Sequence, residues 1–307
     1  MPTREAIGWF KSNFANEIQQ AVHRTPFTVD LITAIACQET GYIWNQLRKK
    51  VGRDDVLRLC VGDTLDQDRG RRAFPRNRAE LEAEPHGPQM FQIARTALLE
   101  MAQHIPGYGF AVRNQNKFCH GFGIFQFDLQ FFKDFPEYFL EQRYAHFDQA
   151  LGKAIEVLNG KLRLLRSRGL VANSSVLSDD DLIKVAIAYN TGNYNPSKRL
   201  KQGHKSSDGV YYGEAIAKFM QLSKQIGASA PPTPSTRPAL IVNVSTTLKV
   251  RSTPDTRSNA NIVASLNKGQ RVTPVGAAMV NGFWEIETTV RGNTIRGFAS
   301  ARYLKEA

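Results

Sequence analysis

Residues 178–192 read SDDDLIKVAIAYNTG, and this stretch decides the fold class of what surrounds it. Ser178 suits a helix N-cap, the three acids after it suit the positive first turn, and Gly192 supplies the stop. Between them LIKVAIAYN is apolar on nearly every face, so the helix belongs in the middle of a domain. Outward from it, Phe147, Leu151, Ala154, Ile155, Leu158, Leu162 and Leu165 recur at helical spacing along a second, amphipathic helix. Its other face carries Lys153, Lys161, Arg163 and Arg166 and reads as solvated surface. Further upstream, Thr25 and Pro26 open a helix whose buried face holds Leu31, Ile32, Ile35 and Ala36; it runs up to Glu39 and stops at Gly41.

Downstream the pattern breaks at residues 227–238, GASAPPTPSTRP, a composition that behaves as an extended spacer. Beyond it the apolar period shortens to that of strands. LIVNV, TLKVR, IVASL, QRVTPVG, GFWEIET and IRGFAS are separated by turn-forming clusters such as NKG and RGN. Five or six short strands in so little chain predict a small, strongly bent barrel. The expected fold class is therefore α+β and multidomain: a mainly α-helical domain over 1–226, a Pro-rich linker over 227–238 and a small all-β barrel over 239–307. The length of 307 residues suits two domains of about 100–200 residues each.

Forty Lys and Arg against 28 Asp and Glu give a formal charge of +12, which predicts attraction to polyanions: nucleic acid, acidic membranes or anionic wall polymers. Charge alone does not choose among them, and no nucleic-acid-binding motif is present. Cys37, Cys60 and Cys119 lack CxxC spacing and read as buried reduced thiols, neither a disulfide framework nor a zinc module. The opening MPTREAIGWFKSNF lacks the apolar core of a signal peptide, and no stretch is long enough to span a membrane. The expectation is a chain made in the cytoplasm.

Glu39 is the most informative carboxylate, because it ends an apolar helix with Tyr42 and Trp44 after it. A carboxyl held against apolar surroundings has a raised pKa and can act as a general acid. In HGFGIFQFDLQFF, residues 120–132, Gly121 and Gly123 permit close backbone approach while Gln126 and Asp128 stand among aromatics, as in a sugar-binding cleft. Asp128 also suits a helix cap before an apolar run. Tyr189 and Asn190 close the apolar helix, and a buried tyrosine hydroxyl needs a partner such as a carboxyl. No histidine shows metal spacing. Asp63, Asp66 and Asp68 in GDTLDQDRG lack the spacing and terminal Glu of a calcium loop, so no metal and no cofactor is expected. The polar segment from Gln46 to Pro88 reads as a solvated insertion, with a lid over the cleft as the alternative.

The order ETG, GFGIFQFD, AYNTG resembles the lytic transglycosylase and goose-type lysozyme superfamily over residues 25–195. The resemblance implies a lysozyme-like domain that cuts the β-1,4 bond between N-acetylmuramic acid and N-acetylglucosamine in peptidoglycan. It makes Glu39 the catalytic acid, with Thr40 after it where many transglycosylases have Ser. It gives Gln126 and the backbone around Ile124–Phe125 contact with the N-acetyl sugar, and has Tyr189 and Asn190 orient Glu39 and substrate. Asp128 divides two outcomes: as in goose-type lysozymes it can help position a hydrolytic water, whereas a lytic transglycosylase uses the sugar's own C6 hydroxyl and needs no second carboxylate.

TLKVRSTPDT, LNKGQRV, FWEI and GFASARYL resemble the bacterial Src-homology-3-like domain over residues 240–305, which implies a wall-binding module with Trp284 and Phe298 in its core. Arg251, Arg257 and Tyr303 are its candidate contacts to peptide stems. The implied partners are peptidoglycan glycan strands and an immunity or inhibitor protein, with no specific nucleic acid. The implied route to the wall is a specialised secretion system or a phage holin. The alternative reading is a catalytically inactive wall-binding or assembly protein of a phage tail or secretion apparatus.

Overall fold

The computed structural model describes residues 2–64, 71–226, 239–275, 279–290 and 293–306. The spacer at 227–238 and the loop acids Asp66 and Asp68 lie outside the described residues. The chain forms two compact units, Met1–Leu47 with Leu57–Ala228, and Arg48–Val56 with Ser229–Ala307.

The elements up to residue 226 are mostly helical. In chain order they are α1 (Arg4–Val22), α2 (Val29–Leu47), α3 (Arg53–Leu59), β1 (Val61–Thr64), α4 (Arg78–Glu82), α5 (Gly87–Ala102), α6 (Gly109–Arg113), β2 (Cys119–Phe122), β3 (Phe127–Asp128), α7 (Pro136–Leu140), α8 (Phe147–Ser167), α9 (Asp179–Thr191) and α10 (Tyr212–Gln225). Helix α2 is central: Leu31, Ile32, Ala34, Ile35 and Ala36 are fully buried, and it packs against α1, α9, α10 and β1. Phe10 and Phe14 of α1 join this core, with ring centroids 5.6 Å from Trp44 and 4.2 Å from Phe147 respectively. Helix α9 starts at Ser178, whose Oγ accepts from the Asp181 amide at 3.2 Å, and ends at Gly192 with φ +84°. Among the described residues no helix is long and apolar enough to cross a membrane.

Two expectations about α2 are corrected. The cap is Thr28, whose Oγ1 accepts from the Leu31 amide at 3.1 Å, while Thr25 donates to the Val22 carbonyl and finishes α1. Gly41 does not stop the helix, which continues to Leu47 and places Glu39 in its interior. A Cβ on Gly41 would lie 2.3 Å from the Pro2 ring, so the glycine serves close approach of the N-terminal segment.

The reading of 46–88 as a solvated insertion is also corrected. Leu57, Leu59, Cys60 and Val61 are buried, and β1 pairs antiparallel with β2, which pairs with β3. The segment's few apolar residues are spent in the core: Leu57 and Leu59 of α3 and Leu81 of α4 are buried as well as Val61 of β1.

From residue 239 on the chain is β, with seven strands among the described residues where five or six were expected: β4 (Leu240–Val242), β5 (Thr247–Arg251), β6 (Ile262–Asn267), β7 (Arg271–Pro274), β8 (Phe283–Val290), β9 (Asn293–Ser300) and β10 (Leu304–Glu306). They form one antiparallel sheet in the order β10-β4-β7-β8-β9-β5-β6. Alternate residues Leu248 and Val250, with Val242, Leu266, Val272, Ile286 and Ala299, build its core. Phe298 is buried and Trp284 packs against the rim of that core.

Candidate active site

Glu39 projects from the middle of α2 into a hollow of about 440 Å³ that Asp63, Gln126, Asp128, Tyr189 and Asn190 also line. Burial pushes the Glu39 carboxyl up to about 8; a hydrogen bond from Tyr212 opposes that rise and the charge of Asp63 adds to it. Tyr212, the fully buried first residue of α10, donates its hydroxyl to Glu39 Oε1 at 2.7 Å. The expected tyrosine partner was Tyr189, and this is corrected. Tyr189 instead donates to the Phe125 carbonyl at 2.8 Å. Both tyrosine hydroxyls are raised well above their ordinary range by burial and the neighbouring Glu39, which keeps them donors.

The turn between β2 and β3 is fixed from behind by two hydroxyls. Thr40 Oγ1 donates to the Ile124 carbonyl at 2.6 Å and Tyr189 to the next carbonyl, while Gln126 N closes the turn onto Gly123 O at 3.0 Å. Thr40 and Phe125 are therefore buried supports behind the hollow, not contacts within it as expected. Gln126 takes a left-handed backbone, φ +52°, which turns its side chain over Gly62 and Gly121. A Cβ on Gly121 would stand 1.9 Å from Gln126 Oε1. Gly121→Ala is thus expected to push the Gln126 amide into the hollow and raise KM for a ligand bound there about tenfold or more. Because only a side-chain end has to move, a thermal melt should stay close to wild type; a large melt shift would mean the strand itself is displaced.

Asn190 lines the hollow, and its Oδ1 accepts from the His204 amide at 3.3 Å, which ties the end of α9 to the following loop. Asp128 behaves differently from its expected role as a second catalytic carboxylate. Arg71 grips both its oxygens, at 2.5 and 2.8 Å, His120 Nδ1 lies 2.9 Å from Oδ2, and Oδ1 caps the next turn at Gln130 N. Burial alone would raise its pKa, but the hydrogen bonds and charges of His120 and Arg71 win and hold it near 2. A carboxylate so committed is a poor base for a water, so Asp128 is corrected to a positioning residue and turn cap. The acid that the sequence reading passed over is Asp63, read there only as part of a failed calcium loop. It sits in β1 with a left-handed backbone, φ +48°, exposed at the edge of the same hollow. Arg71 and Tyr212 were also missed, since nothing local marks either of them.

In the β unit Arg251 and Tyr303 line one hollow, and Arg251, mostly buried, also donates to the Ser258 carbonyl and Asn261 Oδ1, at 2.7 and 2.6 Å, which holds its own loop. Arg257 is exposed beside Asp255. Tyr303, 41% exposed, lines a hollow of about 540 Å³ with Phe283, Lys249 and Lys268. Among the described residues no three His, Cys, Asp or Glu side chains are grouped to hold a metal. The three cysteines are free and buried.

No family model, curated protein or solved structure matches the chain.

Proposed function

We propose that the helical unit is a lysozyme-like glycosidase that cuts the glycan strands of peptidoglycan, and that the β unit is an SH3-like barrel that tethers it to the wall. The observation that carries this reading is Glu39: a carboxyl raised to about 8 by burial, held by Tyr212, opening into a hollow with the Gln126 amide and the Phe127 and Phe131 rings. At neutral pH such a group is protonated and gives its proton to the glycosidic oxygen as the C1–O bond breaks. The carboxylate left behind is stabilised by the Tyr212 hydroxyl; when the sugar's own C6 hydroxyl attacks, Glu39 takes that proton back, and when water attacks, the second carboxylate takes the water's proton and Glu39 is reprotonated from solvent.

Two nucleophiles fit this scheme, a water or the C6 hydroxyl of the same sugar. Water attack calls for a second carboxylate, and Asp63 suits that part better than Asp128. The positive charge of the chain, +12, draws it to an anionic wall, and a tethered barrel raises local substrate concentration.

The test is mass spectrometry of fragments released from purified peptidoglycan. Reducing ends indicate hydrolysis and 1,6-anhydro ends transglycosylation; no fragments at all would sink the proposal. In the hydrolytic case Asp63→Asn should cut the rate by about 10²-fold or more. Asp128→Asn should instead cost stability, about 1–3 kcal/mol at neutral pH, by leaving Arg71 with a neutral partner. Because the folded Asp128 lies below its ordinary value, that contribution is complete above about pH 4 and fades as pH falls toward 2. Melts at pH 7 and at pH 2 should thus show the difference only in the first.

A further inference from the structure

Of the four basic residues on the outer face of α8, three have local roles or face solvent. Lys153 lies over the Phe135 ring and pairs with Glu156, Arg166 donates to the Ala172 and Ser174 carbonyls, and Arg163 is exposed. Lys161 differs: with Val157, one turn earlier on the same face, it lines the hollow that holds Glu39. Among the described residues lining that hollow it is the one cation. Its Nζ donates to the Gly192 carbonyl at 3.4 Å, a long bond that uses one of three ammonium protons. The other charges are anionic or masked: Glu39 is protonated at neutral pH, Asp128 is neutralised by Arg71, and Asp63 adds a negative charge. The ammonium can donate to the hydroxyls of any sugar, but only a carboxylate answers its charge, and a charge-assisted bond is about twice as strong as a neutral one.

Resting on the glycosidase reading above, we infer that the Val157–Lys161 arm of the hollow recognises a carboxylate attached to the glycan, so that Lys161 selects peptidoglycan over uncharged N-acetylglucosamine polymers. Val157 packs against the apolar face of the sugar and Lys161 gives a charge-assisted hydrogen bond to the acid. In intact strands that carboxylate belongs to the peptide stem, because the lactyl carboxyl is bound to the stem as an amide; the lactyl group offers a free carboxylate only where the stem has been removed.

The experiment compares full-length wild type with Lys161→Met, which keeps the length of the side chain and removes its charge. Three substrates are used: native peptidoglycan, the same material with its carboxylates amidated by carbodiimide coupling, and strands stripped of stems by an amidase, which frees the lactyl carboxylates. Wild type should favour native over amidated material by about tenfold in kcat/KM, the size of one charge-assisted hydrogen bond. Lys161→Met should lose that preference without losing rate on the amidated substrate, and Lys161→Arg should restore it. A preference for native over stripped strands assigns the stem carboxylate, and the reverse assigns the lactyl one. An equal loss on all three substrates overturns the inference, because it would mean that Lys161 only holds the end of α9; so does a wild type that favours neither native nor stripped strands over the amidated material. A wild type that cuts nothing overturns the glycosidase reading instead. The affinities of soluble native and amidated fragments for wild type and Lys161→Met then decide the inference by the same ratio.

Discussion

Glu39→Gln is expected to lower kcat/KM for fragment release by about 10²–10⁴-fold, the contribution of a positioned general acid. The substituted side chain keeps the shape of the original and still accepts the Tyr212 hydroxyl, but it has no proton to give to a leaving oxygen. The same carboxyl sets the upper pH limit of the reaction. With Glu39 pushed up to about 8, the donor stays protonated through neutral pH, and kcat/KM should fall about tenfold per pH unit above that value. A profile already falling at pH 6 would contradict burial as the dominant influence on this group. Stability carries the same sign. The folded value lies above the ordinary 4.5, so the contribution of Glu39 to folding is complete below about pH 4 and is lost as pH rises through 8. Glu39→Gln has no such proton to lose. Its thermal midpoint should match wild type at pH 4 and exceed it at pH 9, and a lower midpoint at pH 9 would show that the folded protein stabilises the ionised form after all.

What the sequence made legible was what neighbouring residues decide. The cap at Ser178, the buried period of α8, the apolar helix beneath Glu39 and the change to strand period after residue 239 all depend on spacings of two to four residues. Long-range pairings were not legible. Tyr212 is 173 residues from the carboxyl it holds, and Arg71 is 57 residues from Asp128, so no local pattern announces either contact. The error at Gly41 has the same origin: glycine is a helix stop in isolation, but here it makes room for Pro2, which only the fold brings near. The burial of Arg251 was not legible either: two acceptors in the loop that follows β5 draw most of it inward. Asp63 was visible as an acid but not as a member of the site, because its place depends on β1 pairing with β2 in a segment whose composition reads as solvated.

Asp30→Ala is expected to destabilise the helical unit by about 3–5 kcal/mol, the cost of removing one partner from a buried ion pair. Lys11 of α1 is 4% exposed, and its three ammonium protons meet three acceptors: Asp30 Oδ1 at 3.0 Å, the Ser223 carbonyl at 2.8 Å and the Ile226 carbonyl at 2.5 Å. Ser223 Oγ donates to the same Asp30 oxygen at 2.6 Å, so one group ties α1, α2 and the end of α10 together. Removing the carboxylate leaves a buried cation with carbonyls alone; removing the lysine as well, in Asp30→Ala with Lys11→Met, should recover part of the loss. Urea unfolding followed by helical circular dichroism measures both, and a double variant that loses the full sum would show that the two groups are not coupled. The tie also bears on the site, because Tyr212 opens the helix whose other end it holds. If Asp30→Ala loosens α10 along its length, Glu39 loses the hydrogen bond that favours its ionised form, and the upper pH limit of the reaction moves upward. A limit that stays in place would mean that the Tyr212 end of α10 is held by its own packing against α2, with the ion pair securing only the far end.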